Sequence, residues 1–137
     1  MKANELRIGN KFQSPFGVET VFEIFDNTDR GRLIQKGYEH IITCKENGNQ
    51  YKPIEIEPIP LTPEILEKCG FGKIEIELEL GAIFGIIKKG LHPLMLKYNF
   101  LQASCFYEFY YGTKVEYLHQ LQNLYFALTG EELEINL

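Results

Sequence analysis

The sequence predicts an α+β fold, and three features carry the prediction. The run Tyr117–Gly130 holds the longest helical period in the chain. Residues Lys73–Leu80 alternate strictly, Ile74, Ile76, Leu78 and Leu80 against Glu75, Glu77 and Glu79, which is the period of a strand. Turn residues at Ser14-Pro15-Phe16-Gly17 and Asn47-Gly48 cut the N-terminal part into short β-branched and aromatic segments. The expected architecture is a small curled antiparallel β-barrel of SH3-like type over residues 1–60. An antiparallel sheet packed against a C-terminal helix follows over residues 61–137. The same pattern also accommodates one continuous domain.

Composition narrows the function classes. Apolar residues make up 45% of the 137, enough for a buried core, and a charged share of 24% is ordinary for a globular protein. No stretch reaches the roughly 18 apolar residues of a membrane span. Met1-Lys2-Ala3-Asn4-Glu5 lacks the apolar run of a signal peptide, so a cytoplasmic location is expected. Cys44, Cys69 and Cys105 are odd in number and widely spread, which fits a reducing compartment and no disulfide framework. The net charge of −5 gives no general attraction for phosphate backbones. The nearest basic cluster, Arg30, Arg32 and Lys36, is diluted by Asp26 and Asp29.

In chain order, residues 4–10 read as a turn that delivers the chain into a first strand. Ser14-Pro15-Phe16-Gly17 has type I turn chemistry, and Val18–Phe25 follows as a strand. The loop Asp26–Gly31 lacks the spacing of a calcium loop and the Glu that would complete one, so no metal is expected there. Leu33-Ile34 and Tyr38–Cys44 are further strands. Asn47-Gly48 suits a two-residue type I′ turn, which would set Cys44 opposite Tyr51 and Ile42 opposite Pro53. Pro53 has no N–H for a ladder, so the strand Tyr51–Glu57 should be an edge or be interrupted there. His40 and Cys44 lie four apart on a strand, roughly 13 Å, too far to share a metal.

Pro58-Ile59-Pro60-Leu61 is stiff and extended, a natural boundary between two lobes. Thr62 and Pro63 start a short helix over 63–69 that Gly70 ends. Ile65, Leu66 and Cys69 share its apolar side, which makes Cys69 a small buried group rather than a nucleophile. Gly81-Ala82 fits a two-residue turn that would return Ala82–Lys88 beside Lys73–Leu80, with Glu75 facing Lys88. The glutamate row admits two readings, a solvated strand face or carboxylates paired for acid/base work. Leu94–Phe100 and Cys105–Tyr111 are the next strands. Phe106, Tyr107, Phe109, Tyr110 and Tyr111 could stack bases as single-strand binders do, or pack against a helix.

The final helix, about residues 115–129, has Tyr117, Leu118, Leu121, Leu124, Tyr125 and Leu128 within an arc about 120° wide, a core-facing stripe. Gly130 supplies the left-handed residue that closes it. His119, Gln122, Asn123 and Phe126 fall on the other side. They form a candidate partner face, unless the N-terminal half or the tail Glu131–Leu137 covers them. The tail alternates Leu133, Ile135 and Leu137 with Glu134 and Asn136, which suits a last edge strand.

Three segments carry a resemblance. They are Lys2–Asn10 (KANELRIGN), Pro58–Leu66 (PIPLTPEIL) with Gly70-Phe71, and His119–Leu133 (HQLQNLYFALTGEEL). Together they resemble small uncharacterised proteins of gut Bacteroidetes and their phages or prophages. The resemblance implies a bacterial host and a mobile-element setting, and it brings no catalytic residue with it.

No nucleophile–base pair, metal-ligand spacing or phosphate loop is present in the sequence. The expected function is a non-catalytic protein-interaction or accessory module, with no cofactor, no metal and no membrane association. The alternative is a nucleic-acid binder using the small barrel or the aromatic strand 106–111. An enzyme built on His119 or on the glutamate row is the least supported reading. The protein is expected as a monomer, or as a homodimer pairing edge strands at Tyr51–Glu57 and the tail.

Overall fold

Pro15 and Phe16 form a tight turn, and the Ser14 hydroxyl accepts from the Phe16 N–H at 3.0 Å. Two antiparallel strands leave that turn, β1 (Lys11–Ser14) and β2 (Gly17–Asp26), paired from Ser14↔Gly17 to Lys11↔Thr20. The computed structural model describes residues 1–26, 40–74, 83–86, 94–99, 106–109 and 114–137. The chain divides into two compact units, Met1–Ile59 and Pro60–Leu137.

In the first unit β2 serves two partners. Its start pairs with β1, and its end pairs with β3 (His40–Cys44). The register steps between Val21↔Cys44 and Glu23↔Thr43, so Phe22 is an extra residue with no counterpart on β3. Such a bulge bends a strand and raises its twist. β4 (Gln50–Tyr51) completes a four-stranded antiparallel sheet in the order β1-β2-β3-β4.

Among the described residues the sheet is not closed, so the structure gives an open four-stranded antiparallel sheet where a small barrel was expected. Among the described residues, β1 and β4 remain its ends. Beyond β4 the chain makes a 3₁₀ turn over Pro53–Glu55. Glu57 then meets β1 at a single bridge, exchanging two 2.9 Å hydrogen bonds with Gln13. The expected strand Tyr51–Glu57 is therefore interrupted by that turn. Pro53 needs no N–H partner at the start of a helical turn, and the Glu55 carboxylate reaches back to the Lys52 N–H at 2.8 Å.

The β3–β4 connection also differs from expectation. Ile42 opposes Tyr51 and Thr43 opposes Gln50, a two-residue shift from the expected register. A type I′ turn needs positive φ at both central residues. Here Gly48 has φ +69, and no non-glycine residue has positive φ among the described residues. Asn47 stays in ordinary backbone space, and the loop lengthens to Lys45–Gly48. Gly48 N–H donates to the Cys44 carbonyl at 3.1 Å, and Cys44 N–H to that of Asn49 at 2.9 Å.

The core of this unit is Leu6, Phe12, Val21, Ile42, Cys44, Tyr51 and Ile56, with Met1 and Ile24 packed against it. Phe12 and Tyr51 meet edge to face, their ring centres 6.1 Å apart, a favoured aromatic geometry. The segments Asp29–Lys36 and Leu33-Ile34 lie outside the described residues.

The second unit opens with α1 (Pro63–Lys68), where the Thr62 hydroxyl accepts from Ile65 N–H at 3.3 Å and Leu66 is fully buried. A five-stranded antiparallel sheet follows in sequence order: β5 (Gly72–Ile74), β6 (Ile83–Ile86), β7 (Leu94–Asn99), β8 (Phe106–Phe109) and β9 (Lys114–Val115). Ile74 opposes Ile83 and Lys73 opposes Phe84. The expected two-residue turn would have set Leu80 opposite Ile83, whereas Ile83 faces Ile74; Gly81, Ala82 and Lys88 lie outside the described residues. Glu75, Glu77 and Glu79 lie outside the described residues.

α2 (Leu118–Thr129) begins where the Gln120 side chain accepts from the N–H groups of Glu116 and Tyr117, at 2.9 and 3.2 Å. Leu61 N–H donates to the Glu116 carbonyl at 2.9 Å and Pro60 bridges Tyr117, so the start of the unit lies against the start of this helix. Gly130, at φ +71, ends it and donates back to the Phe126 carbonyl at 2.8 Å.

The buried residues of α2 are Leu118, His119, Leu121, Gln122 and Tyr125. At 100° per residue they centre about 70° away from the expected stripe. Leu124 is half-buried and Leu128 is exposed at 47%. The tail is not a strand: Leu133 is buried, and Asn136 N–H donates to the Lys68 carbonyl at 3.0 Å. Of the two segments expected to pair across a homodimer, Tyr51–Glu57 is thus a strand only at its start, and the tail is not a strand. Among the described residues no helix is long and apolar enough to cross a membrane.

The rotation has a measurable consequence. Leu121→Ala should cost about 2–5 kcal/mol in urea unfolding, the range for a truncated buried leucine. Leu128→Ala should stay within about 0.5 kcal/mol of wild type, as an exposed site does. Equal costs would restore the expected stripe.

Candidate functional site

Strand alternation places Glu19 and Val21 on the same side of β2, and both are buried. A carboxylate there needs hydrogen-bond donors, and the β3–β4 connection provides them. The Cys44 thiol donates to Glu19 Oε2 at 3.3 Å, and the Asn47 side-chain amide donates to Oε1. Ser14 and the Tyr51 hydroxyl also hydrogen-bond to this carboxylate. Asn49 Nδ2 supports the group from behind, donating to the Tyr51 hydroxyl at 3.2 Å. Asn47 Oδ1 is engaged as well, accepting from Asn49 N–H at 2.8 Å.

Burial alone pushes the Glu19 carboxyl up. The hydrogen bonds from Asn47, Ser14, Cys44 and Tyr51 outweigh it and leave the pKa below the ordinary carboxylate value. Glu19 is therefore ionised at neutral pH and has no proton to give. Cys44 is pushed up to about 12, first by burial and then by the adjacent Glu19. Cys69 is pushed up to about 11 by burial. Neither thiol supplies a thiolate near neutral pH, so neither is an activated nucleophile.

A second polar group lies on the same hairpin. Glu46 accepts from both the N–H and the hydroxyl of Thr20, and Lys11 Nζ donates to the same hydroxyl at 3.0 Å. Burial raises the Glu46 pKa, and the Thr20 hydrogen bonds with the nearby Lys11 charge bring it down overall. These contacts tie the loop to β2. Among the described residues, no group of three or more His, Cys, Asp or Glu is placed to hold a metal ion.

The sequence-derived candidate face on α2 is divided by the structure. His119 and Gln122 are buried, Asn123 is half-buried, and Phe126 is exposed at 38%. The His119 ring stacks on Tyr117, centres 5.9 Å apart and planes 12° from parallel. The rotation of the buried face draws His119 and Gln122 inward, so the four do not form one open surface. In the aromatic strand, Phe106, Tyr107 and Phe109 belong to β8, paired with β7 on one side and β9 on the other. Tyr110 and Tyr111 lie outside the described residues.

Exposed aromatics occur elsewhere. Phe16 at the apex of the β1–β2 hairpin is 78% exposed and Phe22 at the bulge is 59% exposed, with Val18 between them also open. Ile8 is exposed too, in the turn whose Gly9 N–H donates to the Val21 carbonyl beside Phe22. Sequence reasoning missed both Glu19 and this surface. The shared parity of Glu19 and Val21 signalled the first. Nothing in the sequence marks Phe22 as a bulge.

The ionised Glu19 predicts a pH signature. A depressed carboxylate stabilises the fold above its unfolded pKa, and that stability is lost as pH falls through the folded value. Wild type should therefore exceed Glu19→Gln in Tm at neutral pH. The two curves should converge as the pH drops from about 5 through the ordinary value of 4.5 and below. A thermal-melt series across pH measures this, and a constant gap down to strong acid would contradict it.

No family model matches this chain, and neither a curated protein nor a solved structure matches it.

Proposed function

We propose that this protein is a non-catalytic protein-interaction module that recognises its partner through the outward side of the β1–β2 hairpin. The observation that carries this reading is the exposure of Phe16, Val18 and Phe22 along one hairpin, opposite the buried Glu19 and Val21. Single exposed apolar residues are normal on a protein surface. Two aromatics and a valine exposed along one hairpin offer a partner a row of apolar anchor points. Aromatic side chains are also the common anchors of protein interfaces.

The thiols held neutral and the carboxylate held ionised support a binding role over a chemical one. The 3₁₀ turn and the Gln13–Glu57 bridge support an SH3-like reading of the first unit, a strongly curled sheet presenting one hairpin. The resemblance to proteins of Bacteroidetes phages and prophages supports an accessory role in a bacterial mobile element, inside the host cell. The acidic net charge weighs against nucleic acid as the partner.

The test compares wild type with the Phe16→Ser/Phe22→Ser double variant as immobilised baits for host proteins. A true partner should be retained by wild type and lose about 30-fold or more in affinity for the variant, as when anchors worth 2 kcal/mol are removed. The variant's unfolding free energy should change by less than about 0.5 kcal/mol per site. Equal retention of every captured protein would sink the proposal. Retention of single- or double-stranded nucleic acid at low salt would replace it with the alternative.

A further inference from the structure

We infer that Asn47 is a fold-guarded deamidation site, and that its conversion to aspartate disables the buried Glu19 site. Asn-Gly is the sequence in which a backbone nitrogen most easily reaches the preceding side-chain amide, because Gly48 has no Cβ to obstruct it. Asn47 and Gly48 are both exposed to water. In the reaction the Gly48 backbone nitrogen bonds to Asn47 Cγ, and the Cγ–Nδ2 bond breaks. Ammonia leaves, carrying the proton lost from Gly48, and a five-membered cyclic imide remains. Water then opens the imide to aspartate or its backbone-shifted isomer. The balance is one water consumed and one ammonia released, with no oxidant or reductant.

The folded loop opposes every part of this. Asn47 Nδ2, the leaving group, is held by Glu19 Oε1. Asn47 Oδ1 is held by Asn49 N–H at 2.8 Å, and Gly48 N–H is directed at the Cys44 carbonyl at 3.1 Å. Cyclisation requires these three contacts to be given up together, so it proceeds from a locally opened loop. The product is then hostile to the native site. An aspartate at position 47 keeps an acceptor for Asn49 N–H but sets a second carboxylate against the buried one. A donor becomes a like charge at the group whose ionised state the donors maintain.

The geometry prescribes its own rescue. Glu19→Gln can turn its amide toward an aspartate at 47 and its carbonyl toward the Cys44 thiol, because Oε1 and Oε2 already face those two partners separately. The experiment follows residue 47 by peptide mapping in the intact chain, folded in buffer and unfolded in urea, at mildly alkaline pH. Thermal melts compare wild type, Asn47→Asp and Glu19→Gln/Asn47→Asp. Deamidation should be slower in the folded chain by about tenfold or more, as expected when reaction requires loop opening. Asn47→Asp should melt below wild type, and the double variant should recover part of the loss. Equal rates in buffer and urea overturn the inference. So does a double variant that melts no higher than Asn47→Asp, and the rate comparison stands even where a variant fails to fold.

Discussion

A buried negative charge organises the N-terminal unit. A carboxylate on the inner side of a strand is costly unless donors replace the water it lost. Glu19 recruits them from four places: β1 through Ser14, β3 through Cys44, the β3–β4 loop through Asn47, and β4 through Tyr51. Hydrogen bonds to a charged group contribute about 1.5–3 kcal/mol each, roughly twice a neutral one. A set of four directional bonds does what apolar contact does not. It fixes the length of the β3–β4 connection and hence the register of the strands on either side.

That requirement explains why local turn chemistry was overruled. Asn47-Gly48 read by itself is a two-residue hairpin. In the folded chain Asn47 is an amide donor to a residue 28 positions earlier, and the loop extends to let it reach. Long-range demand outweighed a preference that is modest in the isolated loop. The same competition appears at Pro53, where the missing N–H was legible but the 3₁₀ turn was not. Glu55 closes that turn by reaching back to Lys52, as Glu5 reaches back to Lys2 N–H at 3.4 Å in a 3₁₀ turn over Ala3–Glu5.

Much of the α+β pattern was legible because it follows from chemistry confined to a few neighbouring residues. Thr62 and Pro63 starting α1, Gly130 ending α2, and the turn at Pro15-Phe16 are of this kind. The face that α2 buries was less legible. Hydropathy placed Leu124 and Leu128 inside and His119 and Gln122 outside, whereas the fold half-buries Leu124, exposes Leu128 and buries the two polar residues. A stripe drawn from apolar residues alone misses side chains that carry their own polar or stacking contacts inward, as His119 does on Tyr117. The candidate surface was illegible for a related reason. An extra residue in a ladder is invisible until both strands are aligned, and Phe22 is that residue.

The bulge separates what the sheet needs from what it displays. Val21 and Glu23 face consecutive residues of β3 with Phe22 standing outside the count. The pairs on either side are complete without the Phe22 side chain, so exchanging that side chain alone changes what the hairpin displays while the ladder keeps its register.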